Sequence, residues 1–212
     1  MQGIAIVSTK GGVGKTALSH LLALGAAWRG KPAYLMHTDD REPLKVNGRP
    51  YAYYDARDPE TLATLIGAIV NDDGLCIIDG GGNRPDFDKW ISTSVDIAII
   101  PVEPDPEAVT LAIEHMARLE SYGANNVYYL LNKVSSNHHE RTRDKSEYFD
   151  LLPSHKIIGE VGRVAAVKRL RQSDKGQFIT PPTNVNNLSR KVFKLIEEKL
   201  SIINEIEQRE IK

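Results

Sequence analysis

The sequence predicts an α/β fold: a doubly wound, mostly parallel sheet with helices on both faces. Three observations carry that expectation. Six short runs rich in Ile, Val, Leu and Tyr recur along the chain without the alternation of a half-exposed strand, as strands covered on both faces require. Helical patterns separate most of them, and strand–helix–strand order with right-handed crossovers builds a parallel sheet. The 212 residues, 41% of them hydrophobic, suffice for one domain with a full core over 1–212.

In chain order, the first strand is expected at GIAIVS (3–8), followed by a helix over 15–29. PAYLMH (32–37) is the second strand, and a helix over 59–71 leads to LCIID (75–79) and VDIAIIPV (95–102). Asp105 is placed to cap the next helix (107–122) with Pro106 at its first position, and Ala108, Ala112, Met116 and Leu119 fall on one buried face. VYYLLNKV (127–134) and KIIGEV (156–161) are the last strands, and SSNHHERTRDKSEY (135–148) between them reads as a polar surface connection. His138 and His139 within it are expected to be solvated, since nothing nearby completes a metal site. A helix over 164–173 follows. The C-terminal segment 187–212 is helical, with Val192, Leu195, Ile196, Leu200 and Ile203 as its apolar stripe and Lys199 interrupting it.

Charge and cysteine usage narrow the function. With 27 basic and 28 acidic residues the net charge is −1, so no bulk field draws the chain to nucleic acid or membrane and any such binding needs a local patch. The single cysteine, Cys76, excludes an intrachain disulfide framework and reads as core filler. No run approaches the ~18 apolar residues of a membrane span, the start shows no signal-peptide pattern, and the last helix lacks the basic face of a membrane anchor. A cytoplasmic protein is expected.

STKGGVGKTAL (8–18) carries the chemistry. It follows a strand and opens a helix, as a phosphate-binding loop must, but Thr9 stands where the strict motif has its first glycine, so the match is to the variant K-G-G-x-G-K-T. Gly11, Gly12 and Gly14, with Val13 between, let the backbone curl so that its N–H groups and the helix start bind phosphates. Lys15 reaches the β and γ oxygens of a nucleoside triphosphate, and Thr16 offers a hydroxyl to Mg²⁺. Phosphate binding alone leaves the second lysine, Lys10, unexplained.

At these residues the sequence resembles the ParA/MinD family of deviant Walker ATPases, most of all the small ParA-type partition ATPases, and the resemblance runs through most of the chain. It implies that Lys10 reaches across a dimer interface to the phosphates of ATP held by the other subunit. It implies catalytic roles for Lys10, Lys15 and Asp39, the last orienting the attacking water, with Asp40 as a competing candidate. Asp79 resembles the carboxylate that holds Mg²⁺ through water, and the GGG after it (80–82) a switch that approaches the γ-phosphate. Asn132 matches an adenine-side residue, and Ala17, where the family often has a hydroxyl, keeps its backbone N–H for the α-phosphate. His37 stands where the family more often has aspartate, and Asp40 and Arg41 replace a proline–glutamine pair.

The segment GRVAAVKRLRQSDKGQF (162–178) resembles the family's base-enclosing loop and the helix after it, and it is locally basic. On a helix Lys168, Arg171 and Lys175 share a face; with Arg169 they are the candidate contacts to duplex DNA, bound through phosphates without sequence reading. The resemblance thus implies an ATP- and Mg²⁺-dependent homodimer that holds nucleoid DNA and is released by a ParB-like or adaptor partner. Plasmid segregation is the expected cargo process. The alternative is a metabolic P-loop ligase or kinase acting on a small molecule; Lys10 favours the first.

Overall fold

The computed structural model describes residues 1–43, 46–81 and 84–210, except the side chains of Arg171, Glu207, Arg209 and Glu210. Seven parallel strands form one sheet in the order β3-β2-β4-β1-β5-β6-β7. They are β1 (Gln2–Ile6), β2 (Ala33–His37), β3 (Ala52–Asp55), β4 (Leu75–Asp79), β5 (Ile97–Val102), β6 (Val127–Val134) and β7 (Ile157–Gly162). The connecting helices are α1 (Lys15–Ala27), α2 (Pro59–Ile69), α3 (Pro85–Ser94), α4 (Pro106–Ser121) and α5 (His138–Glu147). A two-stranded hairpin, β8 (Ser173–Asp174) with β9 (Gln177–Phe178), precedes α6 (Thr183–Glu210).

Successive strand residues point to opposite faces, so a strand apolar at every position must be covered twice. Ile4 and Ile6 of β1, Leu35 of β2 and Ile77 of β4 join α1 and α6 in one core. Ala5, Met36, Cys76 and Ile78 face the other way and join Leu62, Ile91, Val109 and Met116 from α2, α3 and α4 in a second. Every residue from Leu18 to Ala26 is buried, because α1 lies between the sheet and α6. The Asp105 carboxylate accepts from Ala108 N at 2.9 Å with Pro106 opening α4, as expected. The Cys76 thiol is buried, which pushes its pKa up to about 11.

Several expectations are corrected. Residues 138–147 are helix α5, not a connection: Asn137 caps it by accepting from His139 N and Glu140 N, and with only Asp144 buried it has no apolar stripe for periodicity to find. The helix expected at 164–173 is a 3₁₀ stretch over Ala165–Arg171 that passes into the β8–β9 hairpin. The C-terminal helix begins at Thr183, and Lys199 fits its stripe by laying its ammonium 4.1 Å from the Tyr128 ring centroid. Strand β3 and helix α3 are additional to the expected elements. β3 is a four-residue edge strand, while Pro85 with Asp86 and Asp88 in the first turn was a readable start for α3.

Gly25 sets how closely α1 and α6 approach. A Cβ built there would sit 2.7 Å from Phe193 Cβ and closer still to the Ser189 carbonyl oxygen. Gly25→Ala should therefore cost about 1–3 kcal/mol of stability by overpacking, read as a lower midpoint in urea unfolding.

Candidate functional site

The chain turns from β1 into α1 at the carboxyl edge of the sheet, where α/β folds place ligands. Val7 N still bonds Ile99 O at 3.0 Å, and then the backbone leaves the sheet. Gly12 (φ 81°) and Gly14 (φ 100°) are left-handed, which curls residues 10–14 into a loop. No side chain caps α1 at Gly14, so its first N–H groups are free to face an anion. The Asn132 amide nitrogen donates to Val13 O at 2.7 Å and occupies the place a Gly14 Cβ would need. Asn132, expected at the adenine, is thus seen as a brace of the loop.

The two lysines of the loop part company. Lys15 turns inward and donates to Lys10 O at 3.3 Å. Burial lowers its pKa, against the pull of Asp79 and Asp39 in the other direction. Lys10 turns instead to Glu107 in the first turn of α4, and the hydrogen bond between them raises its pKa. Thr16, half-buried, lines a small cleft with His37 and Asp39.

Asp79 ends β4 directly beside His37, the last residue of β2. Its side chain is 1% exposed, with Oδ1 3.4 Å from the Ser19 hydroxyl and Oδ2 lacking any hydrogen-bond partner. His37 Nδ1 lies 3.7 Å from Oδ2, and His37 Nε2 bonds Arg41 O at 2.7 Å. Burial opposes the imidazolium, but Asp79 and the Arg41 carbonyl outweigh it and raise the His37 pKa. A buried carboxylate oxygen without a partner is costly unless water or a cation satisfies it, so the Asp79 carboxylate fits an oxygen-liganded Mg²⁺, and the Thr16 hydroxyl, in the cleft that His37 also lines, is a second oxygen of the kind that ion takes. Asp39 stands at the cleft with its carboxylate accepting from Arg41 N at 3.1 Å. Arg84 Nη1 bonds Thr38 O at 2.6 Å, tying the chain after β4 to the chain after β2. Gly82 of the glycine run lies outside the described residues.

The expected basic face is not one helical stripe. Lys168 and Arg169 are exposed in the 3₁₀ stretch, Lys175 sits in the β8–β9 turn with φ 48°, and the Arg171 side chain lies outside the described residues. The 3₁₀ turns and the hairpin break the helical register that would align them. Ser19 reaches Asp79, Glu107 holds Lys10 and Lys133 donates to Gly12 O, and no motif or periodicity marks these three. A cavity of about 620 Å³ between α2 and α3, walled by Leu62, Ile66, Phe87 and Trp90, contains no residue of the loop and is not the phosphate site.

A model of the family described as the CobQ/CobB/MinD/ParA nucleotide binding domain matches residues 4–178. The chain belongs to that family. Comparison with curated protein sequences finds no match. Among solved structures the chain is similar to the MinD cell division protein of Aquifex aeolicus (TM-score 0.70, 19% identity, 93% of this chain and 97% of that one). It is similar also to a Borrelia burgdorferi B31 protein described as a plasmid partition protein bound to AMPPNP (0.67, 14%, 93% and 99%). The septum site-determining protein MinD of Pyrococcus horikoshii, complexed with Mg-ADP, is a third (0.67, 14%, 95% and 98%). At these identities the likeness is one of fold. Among the described residues no helix is long and apolar enough to cross a membrane, and no cluster of His, Cys, Asp and Glu has the make-up of a protein-only metal site.

Gly14→Ala should lose at least about tenfold in ADP affinity by titration calorimetry, because the new methyl meets both a left-handed backbone and the Asn132 amide.

Proposed function

We propose that the chain is a ParA-like ATPase that binds ATP with Mg²⁺, pairs two subunits around the nucleotides and hydrolyses ATP to ADP and phosphate. One observation carries the reading: a single loop holds two lysines with different destinations, Lys15 inward toward Asp79 and Asp39, Lys10 outward to Glu107. A single phosphate cradle uses the first. The second is available to a nucleotide on another subunit, which makes the γ-phosphate part of the interface.

Thr16 and Asp79 are the residues to hold Mg²⁺, Asp79 through water; the ion, when bound, neutralises charge on the β and γ oxygens. Gly11, Gly12, Val13, Gly14 and Ala17 offer backbone N–H groups, Lys15 a point charge, and Asp39 an acceptor that orients the attacking water. Asn132 holds Val13 O with its amide nitrogen and offers its oxygen to the base edge.

In this reading the ATP dimer holds duplex DNA without sequence preference, a ParB-like or adaptor protein stimulates hydrolysis, and the cycle segregates plasmid DNA or positions another cargo on the nucleoid. The exposed Lys168, Arg169 and Lys175 support the DNA step, as does the likeness to the Borrelia plasmid partition protein.

Light scattering tests the dimer. ATP, but not ADP, should produce it, Lys10→Ala should stay monomeric with ATP bound, and Asp39→Ala should accumulate it by slowing hydrolysis. Equal dimerisation of Lys10→Ala and the parent removes the role across the interface. For DNA, replacing Lys168, Arg169 and Lys175 together by alanine should weaken binding alike on unrelated duplexes and flatten its fall with salt. A triple variant that matched the parent at low salt would put the DNA surface elsewhere.

A further inference from the structure

Asn132 and Lys133 are neighbours near the end of β6, yet both side chains reach the same loop. In an extended strand consecutive side chains point to opposite faces, so one of them has to be turned. The pairing of β6 with β7 shows how. Leu131 stands opposite Glu160 and Val134 opposite Gly162, so β6 carries one residue more than its partner over this stretch. Lys133 absorbs it in a left-handed conformation, φ 57°, which a residue with a Cβ seldom takes.

The bulge delivers the Lys133 ammonium to Gly12 O at 2.8 Å, beside the Asn132 amide on Val13 O. Glu103, just beyond β5, accepts a second hydrogen bond from the same ammonium at 2.5 Å. In a planar trans peptide the C=O and the following N–H point in opposite directions. Holding the oxygens of Gly12 and Val13 from outside therefore aims the N–H groups of Val13 and Gly14 inward, where phosphate oxygens would sit. A cation on the Gly12 carbonyl also polarises that peptide and strengthens its N–H as a donor.

We propose that Lys133, held by Glu103, is a positioning residue for nucleotide binding that acts through the Gly12–Val13 peptide. The proposal rests on the nucleotide-binding reading above. The clamp grips the loop and touches no γ-phosphate, so its loss falls on ADP and ATP alike, and on KM more than on kcat. Glu103→Gln, which leaves the ammonium without its anchor, weakens both nucleotides less than loss of the ammonium does.

The test uses the full chain and fluorescent methylanthraniloyl-ADP and -ATP. Lys133→Met should bind both at least about tenfold more weakly, with faster release, and Lys133→Arg should restore most of the affinity. Lys133→Gly is the decisive companion: glycine accepts φ 57° without strain, so the bulge survives while the ammonium is gone, and it should bind as weakly as Lys133→Met. ADP affinity equal to the parent's in Lys133→Met or in Lys133→Gly overturns the clamp and leaves the nucleotide-binding reading standing. A parent chain that bound neither nucleotide would remove both.

Discussion

A loop that binds phosphate through its backbone has to turn its N–H groups to one side and satisfy its carbonyl oxygens on the other. The rest of this structure follows from that constraint. Lys15, Asn132 and Lys133 each donate to a carbonyl of the loop, at Lys10, Val13 and Gly12. Gly14 leaves room for the Asn132 amide, and the β6 bulge brings Lys133 into reach. The platform beneath is rigid, because β1 is central in the sheet and α1 is buried along nearly its whole length.

The second constraint is the charge at the strand ends. Asp79 is almost wholly buried yet keeps one oxygen unpaired, an arrangement that favours bound water or a cation over an empty pocket. His37 sits against that oxygen and holds Arg41 O with its other nitrogen, so the ends of β2 and β4 are read together. Arg84 and Thr38 repeat the connection one step further out. Beyond them Asp88 of α3 takes both Nε and Nη2 of Arg118 and lies 3.2 Å from His115 Nε2, joining α3 to α4, the helix that holds Lys10 through Glu107. The nucleotide loop, both carboxylate loops and the helix bearing Glu107 therefore form one linked surface.

Much of this was legible in the sequence. Doubly covered strands announce themselves as unbroken apolar runs, and six of the seven sheet strands were found that way; β3, short and at the edge, was not. The loop was legible because backbone binding needs glycines at fixed spacing, and the capped start of α4 because Asp105 and Pro106 act locally. What escaped depends on tertiary contact. The polar helix α5 has no buried stripe, the 162–178 segment is drawn into 3₁₀ turns and a hairpin whose Phe178 N bonds Asn47 O, and the roles of Asn132 and Lys133 arise from a bulge that no periodicity encodes.

The central claim is that Lys10 serves the nucleotide of the other subunit, and mixing two inactive variants tests it most directly. Lys10→Ala keeps Lys15 and Asp39 but lacks the lysine offered to its partner; Lys15→Ala lacks its own phosphate grip but still offers Lys10. In a mixed dimer the nucleotide on the Lys10→Ala subunit meets an intact Lys15 from its own chain and an intact Lys10 from the other. The account predicts that ATP hydrolysis, absent or weak in either variant alone, returns on mixing, through one competent site per mixed dimer. A mixture no more active than the sum of its separate components would show that Lys10 works within its own subunit and would contradict the account.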